Sequence, residues 1–432
     1  MLFKDKRRKL LAGIDLNDQY SQISFIYTDR DEPVTVSTVT GKEQYNVPTV
    51  LCKRQEVNQW FYGKEALRHS EEEAAYLVKS LLRNAYKGDE IIIEEEHFSP
   101  IDLLALFIRR VLGMMQNLVN NEKPDGLMIT VDTLDHRMIE VLSALVLKIG
   151  IETDRVFFQS HLESFYQFTI HQSQELWVHD VVVFDFSGDY MKTYRLEMNR
   201  RTSPIVTFLE EREFRTLEYE SIPAEEPFAS QQRKHMDEQF AGIVEQICEG
   251  HIITTCYLLG DGFLGNWCDE SLKKMYRNRR VFQGNNLYSK GACYTLIEKF
   301  APTELSGKYI FLGKDKVKAN IGMITDQSGR QKYYPVMDAG VNWYDAKKSW
   351  DILLEDENKL RFIITPLNNR NRREAVMTLE NINVKEDMFT RVRLSIEFLS
   401  QNHFTISAHE MGFGEFLESQ GTEWKEDVTW ED

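Results

Sequence analysis

Two stretches of this chain share one design, and that repetition constrains the fold more than any other feature: an apolar strand runs into an aspartate-bearing turn and comes back as a second strand. Residues 9–16 enter the polar turn Asn17-Asp18-Gln19 and return over 21–27, where β-branched and aromatic residues alternate with polar ones. Residues 181–184 run into Asp185-Phe186-Ser187-Gly188-Asp189 and return over 191–198. After the first hairpin, Pro100 opens a run with apolar residues at helical spacing through Leu104, Phe107, Ile108, Val111 and Met115. A strand over 126–131, a helix over 135–149 closed by Gly150, and a short strand over 156–158 follow. After the second hairpin come a helix over 235–249, a strand over 255–259 ending in Gly260-Asp261-Gly262, and a helix over 265–278. Alternating strands and helices around a repeated hairpin predict an α/β domain made of two duplicated halves.

The texture changes near Ser306. Strands are predicted over 309–312, 350–354, 360–364, 375–379, 391–398 and 404–408 with no helix between them, the pattern of a separate all-β domain. The expected organisation is a first domain over 1–304 with halves at about 9–175 and 176–304, a β-domain over 305–416, and an acidic, flexible tail over 417–432 that carries Trp424 and Trp430. A chain of 432 residues is too long for one ordinary core, which agrees with this division.

Charge narrows the partners. With 68 acidic against 52 basic residues the formal charge is −16, which argues against nucleic acid or an anionic membrane as the main partner. The chain has no apolar run long enough to span a bilayer, and residues 1–11 are basic without a secretory pattern, so a cytoplasmic protein is expected. Cys52, Cys248, Cys256, Cys268 and Cys293 form no CxxC pair and are expected to be reduced, buried thiols. His161, His171 and His179 are not spaced to share a helix face and read as structural or surface residues rather than metal ligands. Glu71-Glu72-Glu73 and Glu94-Glu95-Glu96 read as solvated edges.

Two aspartate-bearing hairpin turns facing one another suit a Mg²⁺-nucleotide, because turn N–H groups cradle phosphates while the carboxylates organise the metal's water shell. A strand-end aspartate before a polar turn is also a common structural feature. Chain order adds weight to the first reading. Ala12-Gly13-Ile14-Asp15-Leu16-Asn17-Asp18-Gln19 resembles the first phosphate loop of the 70-kilodalton heat-shock chaperones, members of the actin, sugar kinase and heat-shock ATPase superfamily. Val47-Pro48-Thr49-Val50, Tyr62-Gly63-Lys64-Glu65-Ala66 and Tyr76-Leu77-Val78-Lys79-Ser80 are similar to that family's next segments, residues 181–196 to its second phosphate loop, Leu258-Leu259-Gly260-Asp261-Gly262 to its adenosine-side turn, and Gly291-Ala292 to its second connecting helix. Tyr309-Ile310-Phe311-Leu312 stands where the family has its interdomain linker, and the β-rich part resembles its peptide-binding domain without the helical lid.

The resemblance implies an actin-like (ribonuclease H-like) two-lobed nucleotide-binding domain followed by a β-sandwich. It implies Asp15, Lys79 and Asp185 as catalytic residues, Asp15 and Asp185 also as holders of the metal's water shell, and Asn17, Asp18, Gln19, Ser187, Gly188, Gly260 and Gly262 as nucleotide contacts. It implies ATP or ADP with Mg²⁺ as cofactors, and a protein or unfolded peptide as partner. The departures are chemical. Ser160 replaces the family's catalytic glutamate, and serine cannot accept a proton near neutral pH. Asp189 adds negative charge to the second phosphate loop: a carboxylate about 5 Å from a phosphate costs roughly 3 kcal/mol at an effective dielectric of about 20, more than about a hundredfold in affinity. Asn17, Asp18 and Gln19 add bulk to the first. The expected protein is chaperone-like with a degenerate nucleotide site; the alternatives are an active Mg²⁺-dependent ATPase and a non-catalytic scaffold or assembly factor.

Overall fold

A computed structural model of the chain describes residues 8–430 except 56–57, 73–74, 219–225, 285, 327–329, 355–357, 368–371, 381, 383–388 and 413–420. Residues 1–7, Glu73 and positions 417–420 and 431–432 of the expected tail lie outside the described residues. The fold is mixed α/β with several sheets, and it divides into two units, Met1–Ile310 and Phe311–Asp432.

The first half of unit 1 runs β1 (Leu10–Leu16), β2 (Tyr20–Tyr27), β3 (Val34–Thr35), β4 (Val47–Pro48), β5 (Leu51–Arg54), β6 (Trp60–Tyr62), α1 (Gly63–Glu72), β7 (Ala75–Val78), α2 (Leu81–Lys87), β8 (Ile91–Ile93), β9 (Glu96–Phe98), α3 (Pro100–Leu118), β10 (Gly126–Val131), α4 (His136–Ile149), β11 (Val156–Ser160) and α5 (His161–Ile170). The second half runs β12 (Asp180–Asp185), β13 (Tyr190–Asn199), β14 (Ile205–Glu218), α6 (Phe228–Cys248), β15 (Ile253–Leu259), α7 (Asp269–Met275), β16 (Arg280–Gln283) and α8 (Leu287–Phe300), with β17 (Tyr309–Phe311) after it.

The two main sheets have the same order. One is β11-β10-β1-β2-β3, with β4 also on β2; the other is β16-β15-β12-β13-β14-β17. In each, a central strand pairs antiparallel with its hairpin partner and parallel with the strand on its other side. Every residue of β1 is buried, as expected of a strand covered on both faces. Local chemistry sets the helices: Pro100 opens α3, Asp135 caps α4 by accepting the Met138 N–H at 2.7 Å, and Gly150 closes α4 in the left-handed region.

The helix that ends each half, α5 or α8, packs against the other. At Gly291 of α8 a Cβ would lie 2.0 Å from the Ser164 carbonyl oxygen of α5, so the helices touch backbone to backbone and only glycine fits.

Several boundaries differ from the sequence reading. β14 was not anticipated, because Glu210, Glu211, Arg212, Glu213 and Arg215 break up its apolar alternation; pairing with β13 and the bridge from Arg195 to Asp180 and Glu210 (2.7 and 2.5 Å) hold it in place. α6 begins earlier and α7 ends sooner than their patterns suggested. The segment expected as a linker is β17, placed beside β14 by the Ile205 N–H to the Lys308 carbonyl at 2.9 Å and by the Thr207 hydroxyl to the Ile310 carbonyl at 3.1 Å. All five cysteines are free thiols, Cys248 half-buried and the others buried.

Unit 2 consists of β18 (Ala319–Asp326), β19 (Gln331–Met337), β20 (Lys347–Leu354), β21 (Lys359–Pro366), β22 (Arg373–Thr378), β23 (Thr390–Ser400), β24 (His403–Glu410) and β25 (Glu423–Thr429). They form two four-stranded sheets, β19-β18-β21-β22 and β20-β23-β24-β25. The expected flexible tail is therefore corrected: β25 pairs antiparallel with β24 along its length. Its two tryptophans explain this, since the Trp424 indole donates to the Glu380 carbonyl at 2.9 Å and Trp430 is buried against Phe398 and Phe404. Among the described residues no helix is long and apolar enough to cross a membrane.

Gly291→Ala should destabilise unit 1 by about 2 kcal/mol or more in chemical denaturation, because the added methyl meets backbone that cannot swing aside. Gly113→Ala, in α3 with open space around it, should instead be neutral or stabilising by up to about 1 kcal/mol.

Candidate functional site

The duplicated topology brings two strand-end carboxylates to one place. Asp15 lies near the end of β1 and Asp185 at the end of β12, both buried. The helix that closes each half sends an aromatic ring to that half's aspartate. His161, the first residue of α5, contacts Asp15 Oδ1 through Nε2 at 2.8 Å; the helix is capped there by Ser160, whose hydroxyl accepts the Glu163 N–H at 3.3 Å. Tyr288, near the start of α8, donates its hydroxyl to Asp185 Oδ2 at 2.6 Å, and the Ser187 N–H binds Asp185 Oδ1 at 3.0 Å. The imidazole and phenol rings then stack on each other, centroids 4.0 Å apart and planes within 5°. Carboxylate, imidazole, phenol and carboxylate form one continuous bridge between the two sheets.

The charges reinforce it. Burial works against a charged imidazole, yet the carboxylates of Asp15, Asp132 and Asp185 outweigh burial and raise the His161 pKa above its ordinary value. Burial, with Asp185 beside it, raises the Tyr288 phenol well above its usual range, so it stays protonated and remains a donor. Asp132, just past β10, meets Lys192 of β13 at 2.6 Å. Although burial acts the other way, His161 and Lys192 hold the Asp132 carboxyl below its ordinary value.

The loops on the far side are fastened by packing. Phe186 donates its N–H to the Leu259 carbonyl at 2.8 Å and accepts the Gly262 N–H at 3.1 Å. A Cβ on Gly260, which has φ +98°, would lie 2.3 Å from the Phe186 carbonyl carbon, and one on Gly262 2.4 Å from its ring. These glycines therefore admit Phe186. The Trp267 indole locks the same turn by donating to the Gly262 carbonyl at 2.8 Å.

What remains between the hairpins is a small cavity lined by Asp15, Asn17, Gln22, Asn46, Asp185 and Asp261 together with Tyr20, His161, Ser187, Leu259, Gly260 and Tyr288. About 50 Å³ of it is open to the centre of a water molecule. One water needs roughly 10–15 Å³ by that measure, so it holds a few waters or a small polar group. Asn46 ties the halves together by accepting from Gln22 Nε2 at 2.6 Å and donating to Asp261 Oδ1 at 3.1 Å.

The residues singled out in the sequence have different fates. Asp15, Asn17, Asp185, Ser187 and Gly260 line the cavity. Lys79 is exposed after β7 and is not among the lining residues. Asp18 accepts the Arg83 N–H at 2.9 Å and so faces α2. Gln19 and Gly188 are exposed, and Gly262 supports Phe186. Asp189 is exposed and outside the lining, and Tyr190 turns away toward Glu213 and Arg215. Glu163, three residues after Ser160, is buried in α5 and does not line the cavity. Sequence reasoning missed Tyr288, Gln22 and Asn46 and set His161 aside; their one signal was position, His161 at a helix start and Gln22 in the first hairpin's return strand. Among the described residues no group of three or more His, Cys, Asp or Glu is disposed to hold a metal ion.

Comparison with known families places most of unit 1 in one of them. The C-terminal part of a family of unknown function, DUF5716, matches residues 32–314. The chain belongs to the DUF5716 C-terminal family. His161, Asp185, Asp261 and Tyr288 lie inside the stretch matched by that family, whereas Asp15 and Gln22 precede it. A second domain of unknown function, DUF8552, matches residues 316–430, the β-rich part of this DUF5716 member. No curated protein matches the chain.

The His161–Asp15 pair has a signed pH dependence. Because the folded pKa of His161 is raised, the stability it contributes is complete below its unfolded value of about 6.5 and is lost as pH rises through the folded value. Asp15→Asn should therefore cost about 3–5 kcal/mol near pH 6. Urea denaturation should show the gap to wild type narrowing as pH is raised above about 6.5 and through the folded value.

Proposed function

We propose that this DUF5716 member is a chaperone-like scaffold of heat-shock ATPase type: an actin-like two-lobed domain and a β-sandwich that hold a protein or peptide partner, with the nucleotide cleft taken over by the chain's own side chains. The matching strand order of the two main sheets, the aspartate at the end of each central strand and the crossing of α5 with α8 support the two-lobed reading. Two four-stranded sheets support the sandwich.

The observation that carries the loss of nucleotide chemistry is the His161–Tyr288 stack. Mg²⁺ would need the oxygens of Asp15 and Asp185 turned toward its water shell, yet one oxygen of Asp15 is bound to His161 and both oxygens of Asp185 are engaged, by Tyr288 and the Ser187 N–H. The stacked rings stand between them. The residues do not fit Mg²⁺-ATP. No Lys or Arg is among the residues lining the cavity to balance phosphate charge, and Ser160 caps a helix where a catalytic glutamate is required. For a partner surface, β19 exposes five successive residues including Tyr333 and Tyr334, and Tyr334 meets Trp350 and Lys348 of β20. Aromatic residues beside a cation are favoured contacts for a polypeptide.

Isothermal titration of the purified chain with Mg·ATP should give no binding tighter than about 1 mM. Micromolar binding that is lost in Asp185→Ala would sink the scaffold reading and favour a working ATPase built on the same two aspartates.

A further inference from the structure

The cavity between the hairpins has more acceptors than donors. Asp15 and Gln22 are direct cross-strand partners on β1 and β2, so their side chains share a face with Cβ atoms about 4.5–5.5 Å apart. Each commits one polar atom elsewhere, Asp15 Oδ1 to His161 and Gln22 Nε2 to Asn46. Gln22 is 4% exposed, and its Oε1 is fully buried with no hydrogen-bond partner. Leaving such an oxygen unsatisfied costs about 1–3 kcal/mol, a cost that a donor from outside the chain would remove. Asp261, held through Oδ1 by Asn46, adds a further carboxylate to the same lining.

The charge balance points the same way. Three carboxylates, Asp15, Asp185 and Asp261, face one imidazole among the lining residues. A phosphate is repelled by that set, and a neutral hydroxyl leaves its charge unbalanced. A metal ion has no cluster of three ligating side chains among the described residues.

We infer that the cavity binds a primary ammonium group, accepted by Gln22 Oε1 and by the carboxylates of Asp15 and Asp261. An ammonium carries three donors, a positive charge and no acceptor, which complements this lining. Its head group also suits a space of about 50 Å³, with Tyr20 and Leu259 available to the first methylenes. The chemistry is common to a free alkylamine and to a lysine side chain presented by a partner. The inference rests on the proposed exclusion of nucleotide from the cleft, and the two are tested by separate titrations.

The full chain is titrated calorimetrically with propylammonium chloride, tetramethylammonium chloride and KCl at matched ionic strength, and with N-acetyl-lysine methylamide. Saturable binding is expected for propylammonium and not for tetramethylammonium or KCl, weakened at least about tenfold in both Gln22→Leu and Asp261→Asn. Tighter binding of the lysine derivative than of propylammonium identifies a polypeptide lysine as the source; the reverse identifies a free amine. No saturable propylammonium binding, an equal response to the control cations, or full affinity in Asp261→Asn overturns the inference, and the last decides even where Gln22→Leu does not fold. Binding of Mg·ATP in a parallel titration would overturn the scaffold reading, while the ammonium titration is judged on its own controls.

Discussion

The backbone contact between α5 and α8 is the constraint on which the rest of unit 1 depends. Each helix follows the outermost parallel strand of its own sheet, so the contact of Gly291 with Ser164 sets the relation between the two sheets. It also brings the starts of the two helices together, which is why His161 and Tyr288 stack. A bulkier residue at the crossing would part the rings and, with them, the two aspartates they hold. One missing side chain thus governs a site several residues away.

Two ways of using a pair of strand-end carboxylates compete in such a cleft. Left open, they repel each other and need cations or water; closed over, they must be paired within the protein. Here the second solution prevails, with an imidazole for Asp15 and a phenol for Asp185. The pairing is asymmetric in charge: His161 neutralises one carboxylate, whereas Tyr288 only hydrogen-bonds the other. Negative charge therefore remains in the cavity, which sets what chemistry it can accept.

Much of this arrangement was legible in the sequence where information is local. The hairpins, α3, β10 and α4 announced themselves through apolar periodicity, a proline at a helix start and a glycine at a helix end, and the structure has them within a few residues. The positions of Asp15 and Asp185 at strand ends followed from the same patterns. Long-range contacts left no such trace. Nothing near Tyr288 indicates that it reaches Asp185 across more than a hundred residues, and nothing near Asn46 indicates Asp261. β14 and β25 were hidden for another reason: their outward faces are charged, and the strands are held by pairing and by a few anchors such as Trp424 and Trp430. Residues carried over by chain position lie in different surroundings: Asp18 accepts the Arg83 N–H, Gly262 packs on Phe186 and Lys79 is exposed.

β17 has a mechanical consequence. Unit 1 ends in an edge strand bonded to β14 through Ile205 and Thr207. Pulling on the chain beyond Phe311 would load those hydrogen bonds at the sheet edge.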